Sequence, residues 1–201
     1  MIVYIESNFV LELALEQEEA DCANEILKLA KDNLIVLSIP LFSISEPYDT
    51  VIRRGRERKK ICRDFSEHLN QLYRTNKHKD IVESLMPTIT ALLKIETTQL
   101  NSLEQIISSI LRKGRVLNLD FAVFQDSLAY QKQYSLLQQD AIIYATIIND
   151  LHYQEYSMQK VFVSKNPKDF GNPGIREELK IFNCKYFSNF LHALSYIKSQ
   201  L

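Results

Sequence analysis

Acidic side chains in this chain occupy positions where a strand is predicted to end or a helix to begin. Glu6 directly follows the apolar segment Ile2–Ile5, and Asp140 precedes the apolar run 141–145. Phosphate sites at such junctions use glycine and backbone N–H groups, whereas carboxylates there supply negative charge. Carboxylate oxygens are the ligands that Mg²⁺ and Mn²⁺ prefer. The pattern therefore raises the question of whether these acids meet in one cation site.

Further oxygen ligands follow another predicted strand. Asn166 and Asp169 come directly after Lys160–Val163, and Glu46 precedes a long predicted helix. In a parallel α/β sheet the carboxyl ends of the strands share one edge, so Glu6 and Asn166 are expected to lie at the same edge. The acids at the helix starts can join them from the first helical turns. Carboxylates held that close raise each other's pKa unless a cation compensates their charge.

Each acid also has a structural explanation that needs no function. Glu46 is the fourth residue of a capping box that begins at Ser43. Asp140 at a helix start gains from the helix dipole, and Asp169 fits a solvated turn. Glu6 is the hardest to explain in this way, because a charge at the end of a buried strand costs free energy unless it is paired or bound to a metal.

Strand and helix patterns alternate early in the chain, which favours a mostly parallel α/β sheet flanked by helices. The predicted strands are Ile2–Ile5, Leu34–Leu37, Lys160–Val163 and Ile181–Tyr186. Helices are predicted at 9–15, 18–31, 48–72, 81–111, around 121–128, 140–151 and 190–201. We expect one domain over residues 1–201, with a helical block at about 64–115. Inside that block, Pro87 and a capping box at Ser102–Gln105 predict helix boundaries.

Composition excludes several classes of protein. With 46% hydrophobic residues the chain can fill a core, and its net charge of −1 confines any nucleic-acid binding to a local patch. Four glycines allow neither GxGxxG nor a P-loop, and three scattered cysteines fit reduced thiols better than a disulfide framework or a zinc site. No apolar run reaches the roughly 18–20 residues of a membrane span. We therefore expect a soluble, cytoplasmic protein without a membrane partner.

A dense basic stretch follows Glu46. Its cations are Arg53, Arg54, Arg56, Arg58, Lys59 and Lys60. On one helix they could hold a polynucleotide through its phosphates, or they could form an ordinary solvated face. Gly55 in their midst is expected to loosen or end that helix. The apolar stripes of the helical block fit packing within the domain or a groove for a partner.

The order of four segments resembles the PIN-domain nucleases, which include the toxin ribonucleases of bacterial toxin–antitoxin modules. The matching segments are Val3–Asn8, like the family's strand followed by Asp-Thr-Asn; Ile39–Glu46, like its strand and helix-borne Glu; Gln139–Thr146, like its Asp-Ala helix; and Val163–Phe170, like its Thr-x-Asp/Asn turn before Lys-Asp-Phe. The resemblance covers the chain up to about Asp49 and from about Ser135. It implies a three-layer PIN-like fold with a helical insertion.

The resemblance also implies a hydrolase, namely a Mg²⁺- or Mn²⁺-dependent endoribonuclease. In this chain the implied metal-binding residues are Glu6, Glu46, Asp140 and Asn166, the implied catalytic acids are Glu6, Glu46, Asp140 and Asp169, and the implied positioning residues are Asn8 and Ser164. Implied partners are RNA and either a second copy or an antitoxin-like protein. Two residues depart from the family pattern: Glu6 is one methylene longer than the usual Asp, and Asn166 stands where Asp is common.

Three functions are compatible with these sequence features. The first is metal-assisted hydrolysis of RNA, in which a water made acidic by the cation attacks the phosphorus in line. The second is a catalytically degenerate PIN-like module that binds RNA or acts as a scaffold, which the two departures favour. The third is a helical interaction protein whose acids are only caps and turns. The sequence leaves the identity of the nucleic acid, toxin function and oligomeric state open.

Overall fold

A sheet of five parallel strands organises the N- and C-terminal parts of the chain. In a computed structural model that describes all residues from 1 to 201, the strands are β1 (Ile2–Tyr4), β2 (Val36–Pro40), β3 (Arg115–Leu117), β4 (Lys160–Val163) and β5 (Cys184–Phe187). Their order across the sheet is β3-β2-β1-β4-β5. The predicted α/β fold with a central parallel sheet flanked by helices is confirmed.

Nine α-helices and one short 3₁₀ turn, Asn76–His78, connect or follow these strands. The helices are α1 (Ser7–Ala14), α2 (Ala20–Lys31), α3 (Phe42–Tyr73), α4 (Lys79–Lys113), α5 (Phe121–Tyr134), α6 (Gln138–His152), α7 (Pro167–Phe170), α8 (Pro173–Ile181) and α9 (Phe190–Ser199). Although α3 and α4 are long, none of the helices combines the length and the apolar content that crossing a lipid bilayer requires.

The chain divides into two units. The sheet unit comprises Met1–Pro47 and Leu103–Leu201, and the helical unit comprises Tyr48–Ser102. The buried core of the helical unit is formed by Cys62, Leu69, Val82 and Ile89. The expectation of a single domain with a helical block at about 64–115 stays a prediction.

Helices cover both faces of the sheet, as the alternation of buried side chains requires. On one face Tyr4 and Phe162 pack in a core with Ile143 and Ile147 of α6. On the other face lie α1, α2 and α9, with the rings of Phe9 and Phe190 meeting edge to face at 5.4 Å. Burying each such side chain contributes about 1.5–3 kcal/mol, so both layers are needed to hold the strands together.

The strand order reverses between β1 and β4. From β1 the chain moves outward through β2 to β3, then returns to the other side of β1 to form β4 and β5. Tyr4 of β1 is level with Phe162 of β4, and continuing that register by two residues brings Glu6 level with Ser164. Ligands in parallel α/β folds bind outside the carboxyl ends of the strands at such a reversal.

Sequence patterns missed one strand, β3. Three residues beginning with an arginine carry little strand signal, but Arg115 has a specific role in the structure. Its guanidinium donates to the hydroxyl of Ser38 and, at 2.5 Å, to the carboxylate of Asp150, which also accepts from the hydroxyl of Tyr4 at 2.6 Å. This network joins β3, β2 and β1 to the C-terminal part of α6.

Three predictions of helix boundaries are wrong. Helix α3 begins at Phe42, before Ser43, so the Ser43–Glu46 capping box does not form. Helix α4 runs without a break through Pro87 and through Ser102–Gln105. In each case packing along a long helix outweighs a local signal.

Gly55 does not end α3 as expected, because its role is close packing. A Cβ atom at this position would collide with the side chain of Glu96 on α4. The glycine therefore lets α3 and α4 approach each other closely within the helical unit, and α3 continues to Tyr73.

A buried lysine lies at the amino end of β4, opposite the carboxyl ends of the strands. Lys160 is 1% exposed, and its ammonium group donates to the carbonyl oxygens of Glu155, Met158 and Phe182 at 2.6–2.9 Å. Burial lowers the pKa of Lys160. All three N–H donors are satisfied, so the charge is held by backbone dipoles.

We expect Lys160→Met to lower the free energy of unfolding by about 1–3 kcal/mol, because it removes the three hydrogen bonds that the buried ammonium group donates to backbone carbonyl groups. Urea unfolding followed by circular dichroism measures this change. Lys31→Met, at an exposed position, is the matched control and should stay within about 0.5 kcal/mol of the wild type. Equal stability of the two variants would contradict this role for Lys160.

Candidate active site

Glu6 occupies the junction between β1 and α1 with its side chain almost completely buried. It is 2% exposed, and its Oε2 accepts the backbone N–H of Asn8 at 2.9 Å, which caps the start of α1. Glutamate is not among the preferred N-cap residues. Its other oxygen, Oε1, is buried and has no hydrogen-bond partner. A buried carboxylate oxygen without a partner is costly, which suggests that it meets another group during function.

The hydroxyl of Ser7 connects Glu6 to Glu46. Ser7 Oγ lies 2.9 Å from Glu6 Oε2 and 2.6 Å from Glu46 Oε2. One hydroxyl group has one hydrogen to donate, so it cannot satisfy two ionised carboxylates at once. The arrangement therefore favours a proton on one of the two acids, or a cation beside them. Sequence reasoning gave Ser7 no role; its place directly after Glu6 was the only available signal.

Asp140 at the start of α6 and Asn166, which follows β4, form a hydrogen bond. Asp140 is the third residue of α6, and the amide nitrogen of Asn166 lies 3.4 Å from Asp140 Oδ1. Burial, followed by the charges of Asp169 and Glu46, raises the pKa of Asp140 to about 6. The folded chain thus brings Asp169 and Glu46 close to Asp140. We call Glu6, Glu46, Asp140 and Asp169 the acid cluster.

Burial also raises the pKa of Glu6, to about 7. The backbone N–H of Asn8 and the hydroxyl of Ser7 oppose this shift, with smaller effects from the Ser164 hydroxyl and the Asn8 side chain, neither of which forms a hydrogen bond with Oε1. Ser164 is fully buried and its Oγ accepts the backbone N–H of Asn166 at 3.0 Å. Asn8 and Ser164 thus lie beside the carboxylate, while their positioning role stays a prediction.

No lysine or arginine of the sheet unit forms an ion pair with the acid cluster. Lys168, directly before Asp169, is exposed and forms no ion pair. Lys165, between Ser164 and Asn166, has its ammonium group 2.9 Å from the buried Glu12 and 3.6 Å from Glu18. The acids of α1 and the turn after it therefore engage this lysine. The negative charge of the acid cluster is left without a cationic side chain to neutralise it.

The same carboxylates do not already form a closed cage. No group of three or more His, Cys, Asp or Glu side chains is close enough to hold a metal ion. The metal-binding and catalytic roles predicted for Glu6, Glu46, Asp140, Asn166 and Asp169 therefore stay predictions, although the fold gathers these residues at one edge of the sheet.

The predicted nucleic-acid-binding residues all lie on α3 in the helical unit. They are Arg53, Arg54, Arg56, Arg58, Lys59 and Lys60. All except Arg58, which is half-buried, are exposed. Arg53 lies 3.5 Å from Glu57 and Lys59 lies 2.6 Å from Glu96. Two of the cations are thus engaged by acids of their own unit, and the RNA-binding role of the stretch stays a prediction.

Comparisons with known proteins do not assign this chain to a family. No protein-family model matches the chain, and no curated protein matches it. Among solved structures, VapBC2 from Rickettsia felis bound to a DNA fragment from its promoter is similar at a TM-score of 0.46 and 12% identity, over 93% of this chain and 98% of that chain. Function must therefore be argued from the residues themselves.

The raised pKa of Glu6 predicts that stability depends on pH in chelator. Because the native state binds this proton more tightly than the unfolded chain, the contribution is complete below about pH 4.5 and is lost as the pH rises through about 7. The shift corresponds to about 3 kcal/mol. Asp140 shifts in the same direction and adds to the effect.

We expect Glu6→Gln to remove most of this loss, since a neutral amide does not titrate. Urea unfolding at about pH 5 and about pH 8 measures it, and Glu104→Gln, at an exposed helical position, is the control that should keep the wild-type dependence. Wild-type stability that stays constant between these pH values would show that the Glu6 carboxyl is not perturbed by burial.

Proposed function

We propose that this protein is a Mg²⁺- or Mn²⁺-dependent endoribonuclease whose site is the acid cluster together with Asn166. The observation that supports it most directly is the buried Oε1 of Glu6, which has no hydrogen-bond partner although Ser7 connects the same carboxylate to Glu46. Structural caps and turns, the explanation with no function, would leave these acids scattered and solvated.

The donor set fits a hard divalent cation. Every candidate ligand supplies oxygen, from the carboxylates of Glu6, Glu46, Asp140 and Asp169 and from the amide of Asn166. Raised pKa values of about 7 for Glu6 and about 6 for Asp140 mean that both hold protons readily in the absence of metal. A cation would replace these protons, so its binding would grow stronger as the pH rises.

When bound, Mg²⁺ or Mn²⁺ would acidify a water and stabilise the charge that develops on the phosphate. The residues of the chain supply the geometry. The Asn8 N–H fixes one oxygen of Glu6, and the Ser7 hydroxyl holds Glu6 and Glu46 together. The Asn166 amide restrains Asp140. These contacts restrain the carboxylates, but the acids would still have to move closer together to hold a cation, since no three of them lie close enough.

A second candidate is the catalytically degenerate module that binds RNA or acts as a scaffold. Two observations favour it: the acids do not yet form a set that could hold a metal, and the Asn166 amide contributes a hydrogen bond where a further negative charge would strengthen metal binding. This candidate predicts RNA affinity without turnover that depends on a divalent cation. RNA, a second copy and an antitoxin-like protein remain the predicted partners under both candidates.

Asp140→Asn tests the first candidate. We expect cleavage of a labelled RNA in Mn²⁺ to fall by at least roughly a hundredfold, because even residues that only support metal ligands contribute about 10–100-fold. Asp126→Asn, an exposed isosteric change on α5, should keep the wild-type rate. Cleavage that persists in chelator, or in Asp140→Asn, would exclude the proposed site.

Ser7→Ala tests the link between the two glutamates. Without the hydroxyl, Glu6 and Glu46 lose their common hydrogen-bond partner, so we expect Mn²⁺ affinity to fall by about 10–100-fold. Isothermal titration calorimetry with Mn²⁺ alone measures this without reference to cleavage. Ser66→Ala on α3, whose hydroxyl bonds only to the Cys62 carbonyl, is the control. Unchanged Mn²⁺ affinity in Ser7→Ala would remove the bridging role.

A further inference from the structure

One cationic side chain near the acid cluster has no carboxylate partner. Arg176 lies on α8 and is exposed, and it forms no ion pair. Its guanidinium carbon lies 5.5 Å from the centre of the Tyr186 ring. Such stacking restrains the guanidinium plane while leaving its N–H groups available to an anion.

Tyr186 connects this arginine to the candidate active site. Tyr186 lies on β5 level with Phe162 of β4, and its hydroxyl donates to the carbonyl oxygen of Ser164 at 3.2 Å. Burial raises the pKa of Tyr186, the charge of Arg176 lowers it, and the charges of Glu6 and Asp169 raise it. The ring therefore lies within electrostatic reach of both the arginine and the acids.

A cationic side chain in this place would offset the repulsion between the acid cluster and the phosphates of RNA. RNA carries one negative charge per phosphate, and carboxylates repel it wherever a bound cation does not compensate them fully. Lys165 does not supply this positive charge, because it already forms ion pairs with Glu12 and Glu18. Arg176 is unpaired, and its planar group can donate two parallel hydrogen bonds to phosphate oxygens.

We infer that Arg176, held against the Tyr186 ring, binds a backbone phosphate of single-stranded RNA beside the acid cluster. The choice of RNA rests on the proposed function; the stacking and the free donors do not. A purely structural role for the stack would instead make Arg176 important for stability and irrelevant to RNA.

The test compares Arg176→Met, Arg176→Lys and Lys180→Met. Lys180 is one helical turn further along α8 and is also exposed, so its loss removes the same charge from the same helix. Fluorescence anisotropy with a labelled single-stranded RNA, in chelator and over a range of KCl concentrations, reports affinity without cleavage. Thermal unfolding of each variant reports whether it is folded.

We expect Arg176→Met to weaken RNA binding about tenfold, which is about 1.4 kcal/mol. The slope of log affinity against log salt should fall by about 0.7, the value for one phosphate contact to a single strand. Arg176→Lys should keep the slope and recover part of the affinity, because it keeps the charge and loses the planar stack. Lys180→Met should match the wild type in both measurements.

The inference is overturned if Arg176→Met keeps the wild-type affinity and slope, if Lys180→Met loses as much, or if the wild type does not bind RNA. Cleavage in Mn²⁺ is measured separately. Were the wild type to bind RNA with the expected loss in Arg176→Met but to cleave nothing, the nuclease proposal would fail and the assignment of Arg176 would stand.

Discussion

Burial of the Glu6 carboxylate is the constraint on which the rest of the site depends. An ionised carboxylate inside a protein needs hydrogen bonds or a counter-charge. Glu6 accepts the N–H of Asn8 and shares the Ser7 hydroxyl with Glu46, while its Oε1 has no partner. The energetic cost is expressed as a pKa of about 7. A chain that needed only a helix cap here could use aspartate or serine at lower cost. Retaining a buried glutamate is easier to understand if a cation completes its surroundings.

The surrounding structure keeps the other acids in place. Helix α6, which carries Asp140, is fixed near its end by Asp150, which accepts hydrogen bonds from Tyr4 and Arg115. Nearer its start, the Tyr144 hydroxyl donates to Glu178 of α8 at 2.7 Å. Two further tyrosines, Tyr130 and Tyr134, donate to the same carboxylate. These contacts tie the helix of Asp140 to the helix of Arg176, so an acid and a cation that would face one substrate are held by a common scaffold.

Charge is distributed so that the acid cluster stays negative. Lys165, directly before Asn166, pairs with Glu12 on α1, which is itself buried. Lys160, at the start of β4, is satisfied by three carbonyl groups. Each of these lysines therefore has a structural partner of its own, and an incoming cation meets no competing ammonium group from either. This division of roles agrees with a metal-dependent hydrolase, and it equally permits a binding module that has lost its metal.

The sequence by itself determined the type of fold and the positions of the acids along the chain. Buried β-branched strands alternating with amphipathic helices predict a parallel sheet, and acids directly after Ile2–Ile5 and Lys160–Val163 predict one edge for Glu6 and Asn166. These are local signals, since they depend on periodicity and on residue type. Such signals failed at Ser43, Pro87 and Ser102, where continuous packing along α3 and α4 outweighs capping preferences, and at β3, whose three residues have too little pattern to recognise.

Only the tertiary structure decided which partners these residues have. The shared hydroxyl of Ser7, the diversion of Lys165 to Glu12 and the stacking of Arg176 on Tyr186 join residues from different elements. Hydrogen bonds, ion pairs and pKa shifts depend on distances and burial that arise when the chain closes around its sheet. The sequence therefore names the acids, while the strand order, with its reversal between β1 and β4, brings them together.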